Sequence, residues 1–464
     1  MGDAGSAAEL VAGLRRGFAT GRSLELDWRQ AQLIGLRRLL TEQADALTEA
    51  VRADVGKPAT EVRAFELQLL VNEIDHVLAN LAGWLLPRRV GVPLNAQPAS
   101  AEVRPQPKGV VLVLSPWNYP LLLLLFSPAI GALAAGNAVL LKPSELAPRT
   151  AALVAELVPG HLDPELVAVR TGGVAEATEL LRERFDHILF TGSAEVGKVV
   201  LRAAAEQLTP VTLELGGKSP AFVDEHTDLR VAARRIAWAK FTNAGQTCVS
   251  PDHVLVTPGA REELVRELAA AIESFYGTDP RRSADYGRLV DDRHFQRVEA
   301  FLSDGRVVIG GASDADARYL APTVLVDVDI DAPVMTEEIF GPVLPVLEVP
   351  DAEAALDFIA ARPHPLALYL FSGDPDTREA FQRRSHSGAL VLDAAMLHLA
   401  VPGLPFGGIG DSGMGNYHGR ASIDTFSHQR SVLSKPTRPD TLELVYPPVT
   451  GWRRALMKLT RLTR

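Results

Sequence analysis

Gly109-Val-Val-Leu-Val-Leu-Ser-Pro-Trp-Asn-Tyr-Pro120 decides the fold of this 464-residue chain. It opens the most apolar stretch, Val110 to Leu141, which is broken by Pro116, Pro120, Pro128 and Asn118. So interrupted, the stretch reads as a buried strand, a loop and a helix and not as a membrane span. From Val110 to about Leu213, further short apolar strands (Ala138 to Lys142, Leu166 to Arg170, His187 to Phe190) alternate with helical stretches such as Thr150 to Leu157 and Glu176 to Arg184. That alternation is the pattern of a parallel, doubly wound sheet. A second alternation runs from 220 to about 395, so two α/β domains with a cleft between them are expected. Residues 6 to 86 carry helical periodicity, including Arg29 to Arg52 and Glu61 to Trp84, and form a helical lead-in. Residues 87 to 107, with Pro87, Pro93, Pro98, Pro105 and Pro107, suit an extended arm or hairpin reaching off the body.

The length alone suggests about three domain-sized units. With a net charge of -10 and a pI near 5.6, nothing steers the body of the protein toward nucleic acid. No basic segment leads into an apolar stretch at the N-terminus, so no secretory signal is evident and a cytoplasmic enzyme is expected. The eleven histidines show no zinc-type clustering, and no metal site is expected.

Cys248 is the only cysteine, which excludes an internal disulfide and leaves two readings, a small buried hydrophobe or a nucleophile. The small, polar Gly245-Gln246-Thr247 before it leaves a thiol accessible and favours the nucleophile. An unassisted thiol is mostly protonated at neutral pH, so a base or a helix N-terminus must help it. The candidate base is Glu214, in the β-type run Val211-Thr-Leu-Glu-Leu215 that ends at Gly216-Gly217. A carboxylate between two leucines is costly to bury unless it is paired or used. It also reads as a salt-bridged glutamate at a strand end.

Leu213-Glu-Leu-Gly-Gly-Lys-Ser-Pro220 and Phe241-Thr-Asn-Ala-Gly-Gln-Thr-Cys-Val-Ser250 together resemble the signature pair of the NAD(P)-dependent aldehyde dehydrogenases. The likeness extends, in the family's order, to the 109–120 segment, Gly136-Asn-Ala-Val-Leu-Leu-Lys-Pro-Ser-Glu145, Phe190-Thr-Gly-Ser-Ala-Glu-Val-Gly197, Glu337-Glu-Ile-Phe-Gly-Pro-Val343 and Leu404-Pro-Phe-Gly-Gly-Ile-Gly410. The Trp-Asn-Tyr-Pro spelling and Ser412-Gly-Met-Gly-Asn-Tyr-His-Gly419 point to the class 3 or fatty-aldehyde branch, whose substrates are medium- to long-chain aliphatic and aromatic aldehydes. The resemblance implies a cofactor domain over 1–86 and 108–213 and a catalytic domain over 214–411. It assigns 87–107 and 412–464 to an oligomerisation or bridging arm and tail, and implies a homodimer.

It also implies site roles. Cys248 attacks the aldehyde, Asn118 stabilises the oxyanion, and Glu214 activates water. For NAD or NADP, the implied contacts are Trp117, Lys142, Glu145, Gly192, Ser193, Gly197, Glu338 and Phe340. Lys142 and Glu145 follow a strand and can reach ribose hydroxyls, though they also read as exposed loop charges. The Gly192 to Gly197 spacing departs from the usual dinucleotide fingerprint and on its own reads as close packing. Tyr119 and Phe406 are expected to line an apolar aldehyde tunnel. Asp393 and Val401-Pro-Gly-Leu404 depart from the class 3 pattern near the substrate entrance. A coenzyme A-acylating or reductase relative is disfavoured because such relatives tend to lack the glutamate. A non-enzymatic scaffold on the same fold is disfavoured because every chemical position is retained.

The tail, Gly451-Trp-Arg-Arg-Ala-Leu-Met-Lys-Leu-Thr-Arg-Leu-Thr-Arg464, contains no acid. As a helix it would place Trp452, Ala455, Leu456 and Leu459 on one face and Arg453, Arg454, Lys458 and Arg461 mostly on the other. Two readings stand: weak peripheral membrane association through 451–464, or a helix packed on the body or on a partner subunit.

Overall fold

The computed structural model describes residues 6–125, 127–449 and 451–459. The expected strands form around β1 (Val110–Leu114), β2 (Ala138–Lys142), β3 (Val167–Val169), β4 (His187–Thr191) and β5 (Val211–Glu214). They pair in parallel in the order β5-β4-β1-β2-β3, and Gly413–Met414 adds an antiparallel edge beyond β5. All five residues of β1 are buried, and its alternate side chains enter two cores. Val111 and Val113 join Val139, Leu141 and Leu189 under the helices Leu26–Glu42 and Gln68–Trp84. Val110, Leu112 and Leu114 join Leu140, Ile188 and Phe190 under the helix Ala7–Ala19. Coverage of both faces explains why β1 is wholly apolar and does not alternate with polar residues.

The chain winds from β1 outward through β2 and β3, then returns to lay β4 on the other side of β1. The order therefore reverses between β1 and β4. Loops leaving the carboxyl ends of two such strands diverge and open a crevice, the standard ligand position in doubly wound sheets.

The second sheet is built from β6 (Pro220–Val223), β7 (His253–Val256), β8 (Arg306–Ile309), β9 (Thr323–Val326), β10 (Val343–Glu348), β11 (Ala367–Phe371) and β12 (Ala389–Leu392). Its order is β8-β9-β10-β7-β6-β11-β12, parallel except for the β8-β9 pair. Phe222, Leu255, Leu325, Leu368 and Leu370 fill one face, and Ala221, Val223, Val254, Val256 and Tyr369 fill the other. The proline-rich arm supplies Arg88–Val90 and Ser100–Pro107, which pair antiparallel with each other. Ser427–Ser434 completes this three-stranded sheet.

Among the described residues, no helix is long and apolar enough to cross a membrane. Leu140, fully buried in β2, gives a direct check of the packing. Leu140→Ala should lower stability by about 2–5 kcal/mol, read as a depressed Tm, because neighbouring strands cannot collapse into the space it leaves.

Candidate active site

A cavity of about 320 Å³ opens at the β1/β4 reversal. Its wall combines Trp117 and Asn118 from the loop after β1, Gly192 and Ser193 from the loop after β4, and Glu214 at the end of β5. The other wall brings Cys248, Glu338 and Phe340 from the second domain. The loops thus gather in one crevice residues that are separated by more than two hundred positions in the chain.

Cys248 follows the helix Leu229–Phe241, whose N-cap Asp228 accepts the Val231 N–H at 3.0 Å. Between helix and thiol the backbone turns left-handed at Asn243 (φ 53°), Ala244 (φ 51°) and Gly245 (φ 76°). A Cβ on Gly245 would meet the Gly341 carbonyl oxygen at 2.2 Å, so glycine is required there on two counts. Gln246 then locks the turn. Its Nε2 donates to the Asn243 and Arg288 carbonyls, both at 2.9 Å, and its Oε1 accepts the Val290 N–H at 3.0 Å.

Asn118 is buried, and its Nδ2 donates one hydrogen bond to the Gln246 carbonyl at 3.0 Å. An amide nitrogen carries two hydrogens, so one remains for a ligand oxygen. Glu214 is 2 % exposed, and neither carboxylate oxygen has a partner of hydrogen-bonding geometry among the described residues. Burial holds its carboxyl well above the usual range, and the Gly408 backbone N–H eases this only in part. A buried carboxyl with no cationic partner among the described residues fits a general base better than a salt-bridged strand end. Glu338 is raised to about 8, first by burial and then by nearby Asp252.

Although Cys248 is half-buried, desolvation and the two facing carboxylates, Glu338 and Glu214, push its thiol up to about 12. The backbone N–H groups of Cys248 and Val249 pull the other way. The thiol is therefore protonated at neutral pH in the free protein, and a proton acceptor is needed during turnover.

The residues suited to a dinucleotide fit one at close quarters. A Cβ on Gly216 would lie 1.9 Å from Glu338 Oε2, so the absent side chain is what lets this carboxylate sit in the cleft. Ser193 caps the helix Ala194–Glu206, its Oγ accepting the Val196 N–H at 3.4 Å, and the helix N-terminus, the end that favours an anion, lies at the cavity. Gly192 and Gly197 serve close packing, since added Cβ atoms would meet Phe190 at 2.5 Å and Leu215 at 2.8 Å. Trp117 and Phe340 meet edge-on, centroids 5.6 Å apart, and offer apolar ring surface. Lys142 and Glu145 sit one strand along, outside this cavity. Lys142 Nζ donates to the Pro143 and Gly172 carbonyls at 2.8 and 2.7 Å and lies 4.0 Å from Glu145.

A second, more apolar cavity of about 240 Å³ reaches Cys248 and contains both Tyr119 and Phe406, with Phe65, Leu69, Trp238, Met396 and Leu399 among its walls. Asp393 does not line it: its carboxylate pairs with Arg378 and its carbonyl accepts from Arg235, which pins the loop leading to Met396. Of the divergent 401–404 loop, neither Val401 nor Leu404 lines it either, whereas the preceding Ala400 does.

Sequence reasoning missed the clamp behind Glu338 and Phe340. Arg297 donates to the Glu338 and Ile339 carbonyls at 3.0 and 2.7 Å, and His294 Nε2 meets the Phe340 carbonyl at 2.7 Å. Lys218 of the Gly-Gly-Lys-Ser run pairs with Asp252 and donates to the Val334 and Glu337 carbonyls at 2.8 and 2.9 Å. Asp252 Oδ1 in turn accepts the Ile339 N–H at 3.1 Å. The helix carrying Arg297 reads in sequence as an ordinary charged surface helix, so only Lys218 lay within a visible motif.

The chain belongs to the aldehyde dehydrogenase family, whose sequence profile matches residues 2–432. It is 48 % identical over 444 residues to aldehyde dehydrogenase family 3 member B1 of Bos taurus, covering 96 % of this chain and 95 % of that protein. It is 46 % identical over 444 residues to the dimeric NADP-preferring aldehyde dehydrogenase of Rattus norvegicus, covering 96 % and 98 %. The structure of Staphylococcus aureus AldH in a substrate-bound state superposes with a TM-score of 0.94 at 39 % identity, covering 98 % of this chain and 99 % of that one. The protein is thus an aldehyde-oxidising oxidoreductase with the fold expected from its sequence.

The raised thiol has a direct readout. In the cofactor-free protein, the rate of Cys248 alkylation by iodoacetamide should climb about tenfold per pH unit from pH 7 to 10, since the thiolate fraction grows that way below the pKa. A plateau below pH 8 would show a preformed thiolate.

Proposed function

We propose that the protein oxidises medium- to long-chain or aromatic aldehydes to carboxylic acids through a thioester on Cys248, with Asn118, Glu214 and Glu338 as its partners. One observation carries this reading: the lone thiol stands where a polar crevice and an apolar tunnel meet. The aldehyde enters along the tunnel, whose aromatic and aliphatic walls favour an apolar chain. Glu338 or Glu214, once ionised, accepts the thiol proton and passes it to solvent, and Cys248 Sγ bonds to the carbonyl carbon as the carbonyl electron pair moves to oxygen. The second N–H of Asn118 and the Cys248 backbone N–H receive the oxygen as it gains charge. Ser193, Glu338 and Phe340 would hold NAD or NADP, with Lys142 and Glu145 in reach of ribose hydroxyls, and the bound cofactor would supply the hydride acceptor. Loss of hydride from the adduct carbon leaves the thioester. Glu214 then takes a proton from water, whose oxygen adds to the acyl carbon and releases the acid and the thiol. The retained Glu214 supports hydrolysis over acyl transfer to coenzyme A.

A homodimer is part of the proposal, supported by the dimeric name of the rat relative and by the arm sheet. So is a cytoplasmic location with weak, salt-sensitive attachment to anionic membranes through the tail. Gly451–Leu459 is helical and Trp452 is 63 % exposed, while the side chains of 456–459 and residues 460–464 lie outside the described residues. Basic residues near an anionic surface contribute about 1 kcal/mol each.

Two experiments test these points. Cys248→Ala should abolish oxidation, whereas Glu214→Gln should release a burst of NADH of up to about one equivalent per site and then turn over very slowly. Near-normal steady-state turnover by either variant would remove that residue from its role. In liposome co-sedimentation at low salt, the full chain should bind anionic vesicles and a 1–450 truncation should not. Equal behaviour of the two would exclude the tail as an anchor.

A further inference from the structure

Beneath the Asn118 loop lies an ion pair that the reaction itself does not use. The side chains of Lys57 and Glu66 are both 0 % exposed, and Lys57 Nζ lies 2.6 Å from Glu66 Oε1. A fully buried pair is weak evidence for stability, because desolvating two charges offsets most of their attraction. What distinguishes this pair is where its remaining capacity goes. Lys57 Nζ donates to the Asn118 backbone carbonyl at 2.9 Å and stands 3.5 Å from the Tyr119 ring centroid. Glu66 Oε2 accepts the N–H groups of Leu121 and Leu122 at 2.9 and 3.2 Å. Cation and anion thus grip one five-residue segment from below, at its carbonyl and at its N–H groups.

The segment is also tied to the cysteine loop. Asn243 Nδ2 donates to the same Asn118 carbonyl at 3.0 Å and to the Gln246 carbonyl at 3.1 Å, and Tyr119 OH meets Thr247 Oγ1 at 3.0 Å. Glu61, four residues after Lys57 in the short helix Ala59–Val62, accepts the Asn243 N–H at 2.8 Å. Glu66 itself lies in a π-helical turn, Arg63–Leu67, within the lead-in helices. Widened turns of this kind recur at functional sites.

We propose that Lys57 and Glu66 are positioning residues for acylation: they fix the 118–122 backbone so that the Asn118 amide stands ready to receive the aldehyde oxygen. This rests on the assignment of Asn118 as the oxyanion donor. A preorganised donor loses most of its value when its backbone can shift by an ångström. Burial lowers the Lys57 ammonium from its ordinary range, with Glu66 opposing the shift, so removing Glu66 weakens the grip twice over.

The test is a double-mutant cycle on the single-turnover rate of NADH formation with hexanal. Lys57→Met and the charge-neutral double variant Lys57→Met/Glu66→Gln are each measured alone and in an Asn118→Ala background. The double variant strands no charge, and its glutamine still offers an acceptor to Leu121. The expected result is an acylation rate reduced about 10- to 100-fold with the cofactor dissociation constant unchanged. In the Asn118→Ala background the same changes should cost less than about twofold, because they act through that amide. Acylation within about twofold of wild type in the double variant overturns the proposal. Full additivity with Asn118→Ala, or failure of both variants to fold, also overturns it, since the pair would then serve structure alone. If Asn118→Ala itself leaves acylation intact, the oxyanion assignment falls instead, which separates the two failures.

Discussion

Three acidic groups share one desolvated space: the thiol of Cys248 and the carboxyls of Glu214 and Glu338. In such surroundings they cannot all be ionised at once, because each charge raises the cost of the next. Each is therefore harder to ionise than it would be in water, and the charge has to move among the three as the reaction proceeds. This explains how one crevice hosts both a nucleophile and a base without quenching either. The thiol gives up its proton to a carboxylate that has ionised, and Glu214, its proton released to solvent, is a free base once sulfur is tied up as a thioester.

Keeping such a set in place falls to groups just outside it. Lys218, Asp252 and Arg297 hold the Glu337–Phe340 turn almost entirely through backbone carbonyls and N–H groups. Side chains grip main chain here, so the identities of Glu338 and Phe340 stay free to serve the ligand. The left-handed Asn243–Gly245 turn plays the matching part for Cys248, stiffened by Gln246.

Much of this was legible beforehand. The strands β1, β2 and β4 fall where the apolar runs place them, because burial on both faces keeps their central residues apolar and leaves polar ones only at the ends. The crevice residues gather as the motifs imply, because doubly wound sheets bring the carboxyl ends of their strands together. Lys142 and Glu145 lie outside the crevice that holds Cys248, as their place on the next strand requires. What stayed hidden was long-range. Nothing near Lys57, Glu66 or Arg297 marks them in the chain, since their partners are loop carbonyls and N–H groups up to 61 positions away. The tunnel was seen only at Tyr119 and Phe406, because Phe65, Leu69 and Trp238 read as ordinary core on amphipathic helices.

The crevice and the tunnel share Cys248 and Leu123 and no other wall residue. Most of the surfaces that choose the aldehyde come from the lead-in helices, the helix before the cysteine and the 396–406 loop, which carry no group that moves a proton, while Tyr119, Leu122 and Thr247 line the tunnel beside Asn118 and Cys248. Substrate range and chemical competence are thus separable traits in this scaffold. Lineages or engineers can reshape the tunnel's bore through Phe65, Leu69, Trp238 and Leu399 while the reaction centre is inherited unchanged, so divergence in diet need not wait for reinvention of the catalyst.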